Sequence, residues 1–402
     1  MTMKVIAING SVLVFGLCLQ TSFAQSQNWA LTGAPTNLPW NSVTLSADGT
    51  KCAATAMSKV VYTSTNSGAT WLSNSNGGLN FSFGNLVSIA SSADESKLAV
   101  VLAPDIGAYV STNFGVSWSF LGFSAFPVGF YDDYSGIACS ADGSTVEFVS
   151  NDAQNDGTFV NPGDTFYSTP TSGGLQYGWF PNALWSSVAM STNGTKVIVA
   201  SHDGLIGTST DSGNTGSIAV VPALNWTSVA SSADGTKLIA VASDGSIYTS
   251  PNAGTGWTSN RVAGASWVSV TSSRDGAKLA VASTNGWIYT SADSGGTWQS
   301  NDVPSLAWTA VSSSADGSKI LATSSAGIYL LQPQPALQIE SAGNALLFTW
   351  PTSAVGYQLQ QSTNLNSTNW TMVPTELLST NGENQVKTVS GTGSMFYRLK
   401  YP

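Results

Sequence analysis

Four tryptophans, Trp185, Trp226, Trp267 and Trp308, stand 41 residues apart, and the segments between them nearly superimpose. From Trp226 the chain reads WTSVASSADGTKLIAVASDGSIYTS, and from Trp267 it reads WVSVTSSRDGAKLAVASTNGWIYTS. A strict period of this size means that one supersecondary unit is used repeatedly and buries its apolar faces against its own copies. The fold must therefore be read from the unit.

Each unit opens on an alternating strand (Trp226-Thr-Ser-Val-Ala) and turns at Ala-Asp-Gly. A second strand follows (Lys237-Leu-Ile-Ala-Val-Ala), then a turn at Ser-Asp-Gly and a third strand (Ser246-Ile-Tyr-Thr-Ser). Asp-Gly between alternating apolar runs is a strong hairpin signal, because glycine takes the positive φ without steric cost. A fourth strand starts near the tryptophan that closes each unit. Four antiparallel strands per 41 residues make the blade of a β-propeller. The first-turn position recurs at Asp48, Asp94, Asp142, Asn193, Asp234, Asp275 and Asp316, which gives seven blades. The last has three strands before the chain leaves at Leu331. Asn28-Trp29-Ala30-Leu31 matches the missing fourth, so the N-terminal strand is expected to close the ring and remove its open edges.

The expected fold class is thus all-β: a seven-bladed propeller over residues 25–332, a linker at 333–336, and a small β-sandwich over 337–402. Residues 1–24 read as a cleavable secretory signal, with Lys4, an apolar run and small residues at Ser22 and Ala24. A secreted or extracytoplasmic location follows, in the periplasm or at the cell surface, and no other segment is suited to span a membrane. Beyond the signal only Cys52 and Cys139 remain, in non-neighbouring repeats, and they read as small buried hydrophobes rather than a bridge. Charged residues make up 9 % of the chain and the net charge is −9, which argues against nucleic acid as a partner. Lys51, Lys97, Lys196, Lys237, Lys278 and Lys319 each follow a turn Asp or Asn by three residues and read as solvated turn-exit residues.

A second motif stands at the third turn of several blades: Ser64-Thr-Asn66-Ser-Gly68-Ala-Thr-Trp71, Ser111 to Trp118, and Ser291-Ala-Asp293-Ser-Gly295-Gly-Thr-Trp298, with weaker copies at Ser209 to Gly216 and Ser250 to Trp257. It resembles the Asp-box, the bacterial neuraminidase repeat found in sialidase-type and photosystem-assembly-factor-like propellers. The resemblance implies a folding device in which Asp or Asn accepts backbone N–H bonds, Gly makes the turn and Trp packs between strands. Sialidases of that family use an arginine triad with a Tyr/Glu pair. The propeller segment here holds only Arg261 and Arg274, with Arg274 on the opposite face, so sialidase activity is not expected. Residues 337–402 resemble a fibronectin-type-III-like module, which implies a spacer or attachment role.

Blade geometry sorts the loops onto two faces. The fourth-to-first and second-to-third connections share one face, which carries Trp40, Trp185, Trp226, Trp267 and Trp308, with Tyr134 at the equivalent place in the third blade. Its turns add Asp105, His202, Asp203, Asp244 and Asn285. A ring of indoles beside carboxylates could stack sugar rings or hold a peptide. The other reading is that each Trp fills the gap between neighbouring blades. The long third-blade connection, with Asp152, Asn155, Asp156 and Asp164, could offer oxygens to Ca²⁺, although no bidentate Glu follows and a solvated excursion reads as well. No other cofactor is expected.

From the sequence, the chain reads as a monomeric, secreted, non-catalytic propeller for binding or scaffolding. Its expected ligand-binding residues are Trp40, Tyr134, Trp185, His202, Asp203, Trp226, Asp244, Trp267 and Trp308, and its partner a glycan or an extracellular protein. The alternative is a divergent glycoside hydrolase or lyase using aspartates on that face, with Asp132 and Asp133 among the candidates.

Overall fold

In a computed structural model, the described residues are 28–58, 60–74, 84–103, 107–122, 134–151, 165–168, 175–177, 180–181, 183–262, 265–333, 335–342, 345–352, 357–364, 369–374, 377–380, 382–389 and 395–400. Contacts divide the chain into two compact units. One is 31–330; the other combines 1–30 with 331–402, the boundary falling inside strands Asn28–Leu31 and Gly327–Gln332. The described elements are all strands.

Among the described residues, seven four-stranded sheets follow one another between 28 and 332, and each takes its first strand from the start of a repeat. These first strands are Trp40–Leu45, Asn85–Ser91, Tyr134–Cys139, Trp185–Met190, Trp226–Ser231, Trp267–Ser272 and Trp308–Ser313, and they define sheets 1 to 7. Sheet 5 is representative, with Trp226–Ser231, Leu238–Ala242, Ser246–Ser250 and Thr258–Arg261 hydrogen-bonded in chain order and antiparallel. In sheet 7 the neighbour of Gly327–Gln332 on its outer side is Asn28–Leu31. Along the chain each first strand touches the next, and that of sheet 7 touches that of sheet 1.

Every first strand carries a bulge at the same place, between Trp226 and Ser228 in sheet 5 and at the equivalent pair in the other six. A bulge re-aims the extra side chain. Here the residue after the repeat tryptophan reaches the next sheet. Ser135 donates to Trp185 O at 2.5 Å, Ser186 to Trp226 O at 2.8 Å, Thr227 to Trp267 O at 2.9 Å and Thr309 to Trp40 O at 2.8 Å. The following serine works in the other direction: Ser187, Ser228 and Ser269 accept from the N–H of Val229, Val270 and Val311 at 3.0–3.2 Å.

A third tier is made of backbone alone. Ala47 donates its N–H to Ala93 O, Ala93 to Ala141, Ala141 to Thr192, Thr192 to Ala233, Ala233 to Arg274, Arg274 to Ala315, and Ala315 back to Ala47, all at 2.7–2.9 Å. These residues precede the turn Asp or Asn of each sheet, so the seven first turns form one hydrogen-bonded circle.

The turn lysines do more than the solvated role expected of them. Lys51 Nζ donates to Asp94 O at 3.0 Å, Lys97 to Asp142 O at 2.7 Å, Lys278 to Asp316 O at 2.8 Å and Lys319 to Gly49 O at 3.1 Å, each crossing to the next turn of the circle. Their alkyl stems lie over the turn glycines, and this explains why the amine can stop there. At Gly276, with φ +65°, a Cβ would fall 2.8 Å from the Cβ of Lys237. Gly276→Ala is therefore expected to destabilise by about 1–3 kcal/mol, through positive-φ strain and displacement of the lysine, read as a lower urea midpoint.

The second unit contains a four-stranded sheet (Gln338–Ala342, Ala345–Pro351, Glu383–Val389, Leu378–Thr380) and a three-stranded one (Thr371–Met372, Gln358–Ser362, Phe396–Lys400). Leu346, Phe348, Trp350 and Val386 of the first share one buried cluster with Leu359, Tyr397 and Leu399 of the second. Arg398 stacks 4.2 Å from the Trp370 ring centre and donates twice to Gln360 Oε1.

Candidate functional site

The repeat tryptophans do not form the ligand surface envisaged for them. Trp185, Trp226, Trp267 and Trp308 are 0 % exposed and Trp40 is 1 % exposed, while Tyr134 is 4 % exposed. The indoles of Trp185, Trp226 and Trp267 each lie between their own sheet and the preceding one. Trp226 packs with Ile198, Ala200 and Ile206 of sheet 4, and its Nε1 donates to Gly204 O at 3.3 Å. Edge-to-face contacts fix the rings from the other side: Trp226 on Tyr248 at 5.2 Å, Trp267 on Tyr289 at 5.7 Å, Trp40 on Tyr62 at 4.9 Å and Tyr134 on Phe148 at 5.3 Å. With both faces covered, no π surface remains for a sugar. The large apolar area of an indole is worth more in the seam than in water.

The other expected site residues are exposed, in turns of sheets 4 and 5. His202 Nδ1 lies 2.7 Å from Asn225 Oδ1. Asp244 accepts from the N–H of Ser246 at 2.9 Å, and Arg261 donates to its carbonyl at 3.2 Å. The His202 contact joins two loops, and the Arg261 contact ties strand Thr258–Arg261 to the Asp244 turn. Asp105, Asp132, Asp133 and the third-sheet oxygen-rich segment with Asp152, Asn155, Asp156 and Asp164 lie outside the described residues. Among the described residues no three His, Cys, Asp or Glu side chains group as a metal site. Cys52 and Cys139 are free thiols, and burial raises both.

The third-turn hairpins have one geometry in five sheets. In sheet 1 the Ser64 hydroxyl donates to Asn66 Oδ1 at 2.9 Å and accepts from Gly68 N–H at 3.0 Å, and Asn66 Oδ1 also accepts from Thr70 N–H at 2.9 Å. Asn113, Asp211, Asn252 and Asp293 repeat this pattern. The residue before each hairpin glycine is left-handed: Ser67, Phe114, Ser212, Ala253 and Ser294 all have φ of 55–59°. That posture turns its N–H to the first turn of the same sheet, as in Ser67 to Thr50 O at 2.6 Å and Ala253 to Thr236 O at 2.7 Å. Both sets of turns thus form one braced face.

On this face, at the circle of backbone bonds, lies a cavity of about 1080 Å³. It is lined by the first turns of sheets 4 to 7, including Thr192, Asn193, Lys196, Arg274, Asp275 and Asp316. Its carboxylates are held by their own turns. Asp234 Oδ1 accepts from Ser232 Oγ at 2.6 Å and from Thr236 N and Oγ1 at 3.0 and 2.8 Å, which lowers its pKa to about 2. Asp275 is lowered chiefly by the Ser273 hydroxyl, and Asp316 is lowered by Ser314 and Ser318 in spite of opposing partial burial. They remain anions across the neutral range. Two other carboxyls behave oppositely: burial pushes Glu147 up to about 8 and Glu95 well above its ordinary value, and both are 0 % exposed. In the sequence this cavity is marked only by departures from the repeat at Thr192, Asn193 and Arg274, and not by the repeated aromatics.

No family model matches the chain, and no curated protein matches it. Among solved structures it is similar to YCF48 from Cyanidioschyzon merolae, with a TM-score of 0.56 and 14 % identity over 76 % of this chain and 98 % of that one. It is also similar to YCF48 bound to D1 peptide, with a TM-score of 0.57 and 14 % identity over 77 % and 96 % of the two chains. At that identity the likeness is one of fold: the chain is built as a β-propeller.

Proposed function

We propose that this chain is a secreted, non-catalytic binding or scaffold protein. Its architecture is a seven-bladed Asp-box propeller, closed by the N-terminal strand and followed by a fibronectin-type-III-like module. Its ligand, a glycan or a segment of an extracellular protein, enters the cavity at the circle of first turns rather than the tryptophan-bearing face. The observation that carries this reading is the cavity of about 1080 Å³ set on a braced turn face, with carboxylates locked as hydrogen-bond acceptors. A glycosidase acid needs a carboxyl that keeps its proton near neutral pH and reaches the substrate. Carboxylates held low in pKa suit binding better than proton donation. The solved complex of YCF48 with D1 peptide lends weight to a protein segment as the ligand.

The test is retention of residues 25–402 on immobilised polysaccharides and peptide arrays, with each polysaccharide assayed for released reducing ends. Retention without release is expected. Release of reducing ends would overturn the non-catalytic reading and move attention to the aspartates of the opposite face. Failure on every surface would leave a structural role.

A further inference from the structure

Three residues break the repeat inside the cavity, and all three supply donors. The circle position is alanine at 47, 93, 141, 233 and 315 but Thr192 and Arg274 in sheets 4 and 6. The turn acid is aspartate in six sheets but Asn193 in sheet 4. Four cationic side chains (Lys196, Lys237, Arg274, Lys278) and three carboxylates (Asp234, Asp275, Asp316) line the cavity, a net charge of +1 in a chain of −9. With aspartate at 193 and alanine at 274, as in the other turns, the same lining would carry −1.

Lys196, Arg274 and Asn193 keep unspent donors among the described residues. Lys278 Nζ bonds Asp316 O and Lys237 Nζ bonds Ser294 Oγ, but Lys196 Nζ has no acceptor among the described residues. Arg274 is exposed, and its guanidinium has no hydrogen bond or ion pair among the described residues. Asn193 turns its oxygen to Ser191 and Thr195, leaving its amide N–H₂ uncommitted among them. The Arg274 backbone is held on both sides, donating to Ala315 and accepting from Ala233, so the side chain starts from a fixed point.

We infer that this cavity is a carboxylate-binding site, with Arg274 as the principal anchor and Lys196, Asn193 and Thr192 as supporting donors. The proposal rests on the binding reading above and adds the group that is recognised. Arginine presents a planar fork that matches a planar carboxylate. A doubly charged phosphate is disfavoured by a net charge of only +1 and by three aspartates that stay ionised. Two sources of the group fit: a free small acid, or the uronate of an acidic glycan.

The test is calorimetric titration of the protein with succinate and, separately, with an oligogalacturonate, using wild type, Arg274→Ala and Asn193→Asp. Both substitutions install the residue that other sheets carry at the same place, and unchanged melting temperatures verify folding. Saturable binding of at least one probe is expected, weakened roughly tenfold or more by either substitution. Succinate alone would identify a free-acid site, and oligogalacturonate alone a glycan site. No binding of either probe, or binding indifferent to both substitutions, would overturn the carboxylate site. If the variants were still retained on a partner from the panel above, the binding function would survive that failure.

Discussion

Glu147→Leu is expected to stabilise the protein, and most strongly in alkaline solution. Glu147 sits in strand Val146–Ser150, where Val146 and Phe148 face sheet 2 and Val149 packs with Trp185 and Val188 of sheet 4. Strand alternation therefore points Glu147 into the seam with sheet 4. The equivalent residues are Ala53, Ala99, Ile198, Ile239, Ala280 and Leu321, all buried and apolar. Both carboxyl oxygens lack a hydrogen-bond partner among the described residues. Burial raises the pKa to about 8 from 4.5, so between those values the folded state keeps a proton that the unfolded state has lost. Stability then falls as pH rises from about 4.5 to about 8, by on the order of 4–5 kcal/mol, and is flat beyond. The leucine variant lacks this slope and should gain several kcal/mol at pH 9. At pH 4 it should gain only the about 1–3 kcal/mol of an unsatisfied neutral carboxyl. Urea unfolding of both proteins across that range decides the matter, and parallel pH profiles would refute the assignment.

Trp226→Ala should cost about 3–5 kcal/mol of stability, the usual result of emptying a large aromatic site that cannot collapse. The indole fills the seam of sheets 4 and 5, meets Tyr248 edge-on and donates to Gly204 O. Trp226→Phe should recover more than half of the loss, because it restores most of the volume without the N–H. The seam role is distinguished from a ligand-stacking role by the readout. A stacking residue would lose binding at unchanged stability; a seam residue loses stability first.

Much of the architecture was written in the chain, because turn chemistry and strand alternation are local. The Asp-Gly turns, the Ser-x-Asp/Asn-x-Gly hairpins and the alternation around Trp226 could be read without knowing what lay beside them. Whether Trp226 faced water or a neighbour could not, since spacing fixes where a side chain stands and not what covers it. The lysine crossings were hidden for a similar reason: Lys278 looks like a solvated turn residue until Asp316 O of the next sheet comes within 2.8 Å. The circle through Ala47 and Ala315 has no side-chain signature, because only main-chain atoms make it. The cavity residues were visible only as exceptions. A period draws attention to what repeats, while Asn193 and Arg274 matter for having ceased to.

The circle has one further consequence, for the electric field at the cavity. Its seven N–H to C=O bonds run in the same rotational sense, each donor handing on to the next acceptor until the first is reached again. Peptide dipoles stacked along a helix add, and leave partial charges at its two ends. Dipoles set head to tail around a closed loop cancel by vector addition, and the loop has no end at which partial charge can collect. The circle itself adds no end-charge at this mouth, so what it leaves there is the turn carbonyls that the lysines reach and the charges of the side chains. A single arginine on such a rim meets no end-charge from the circle beneath it.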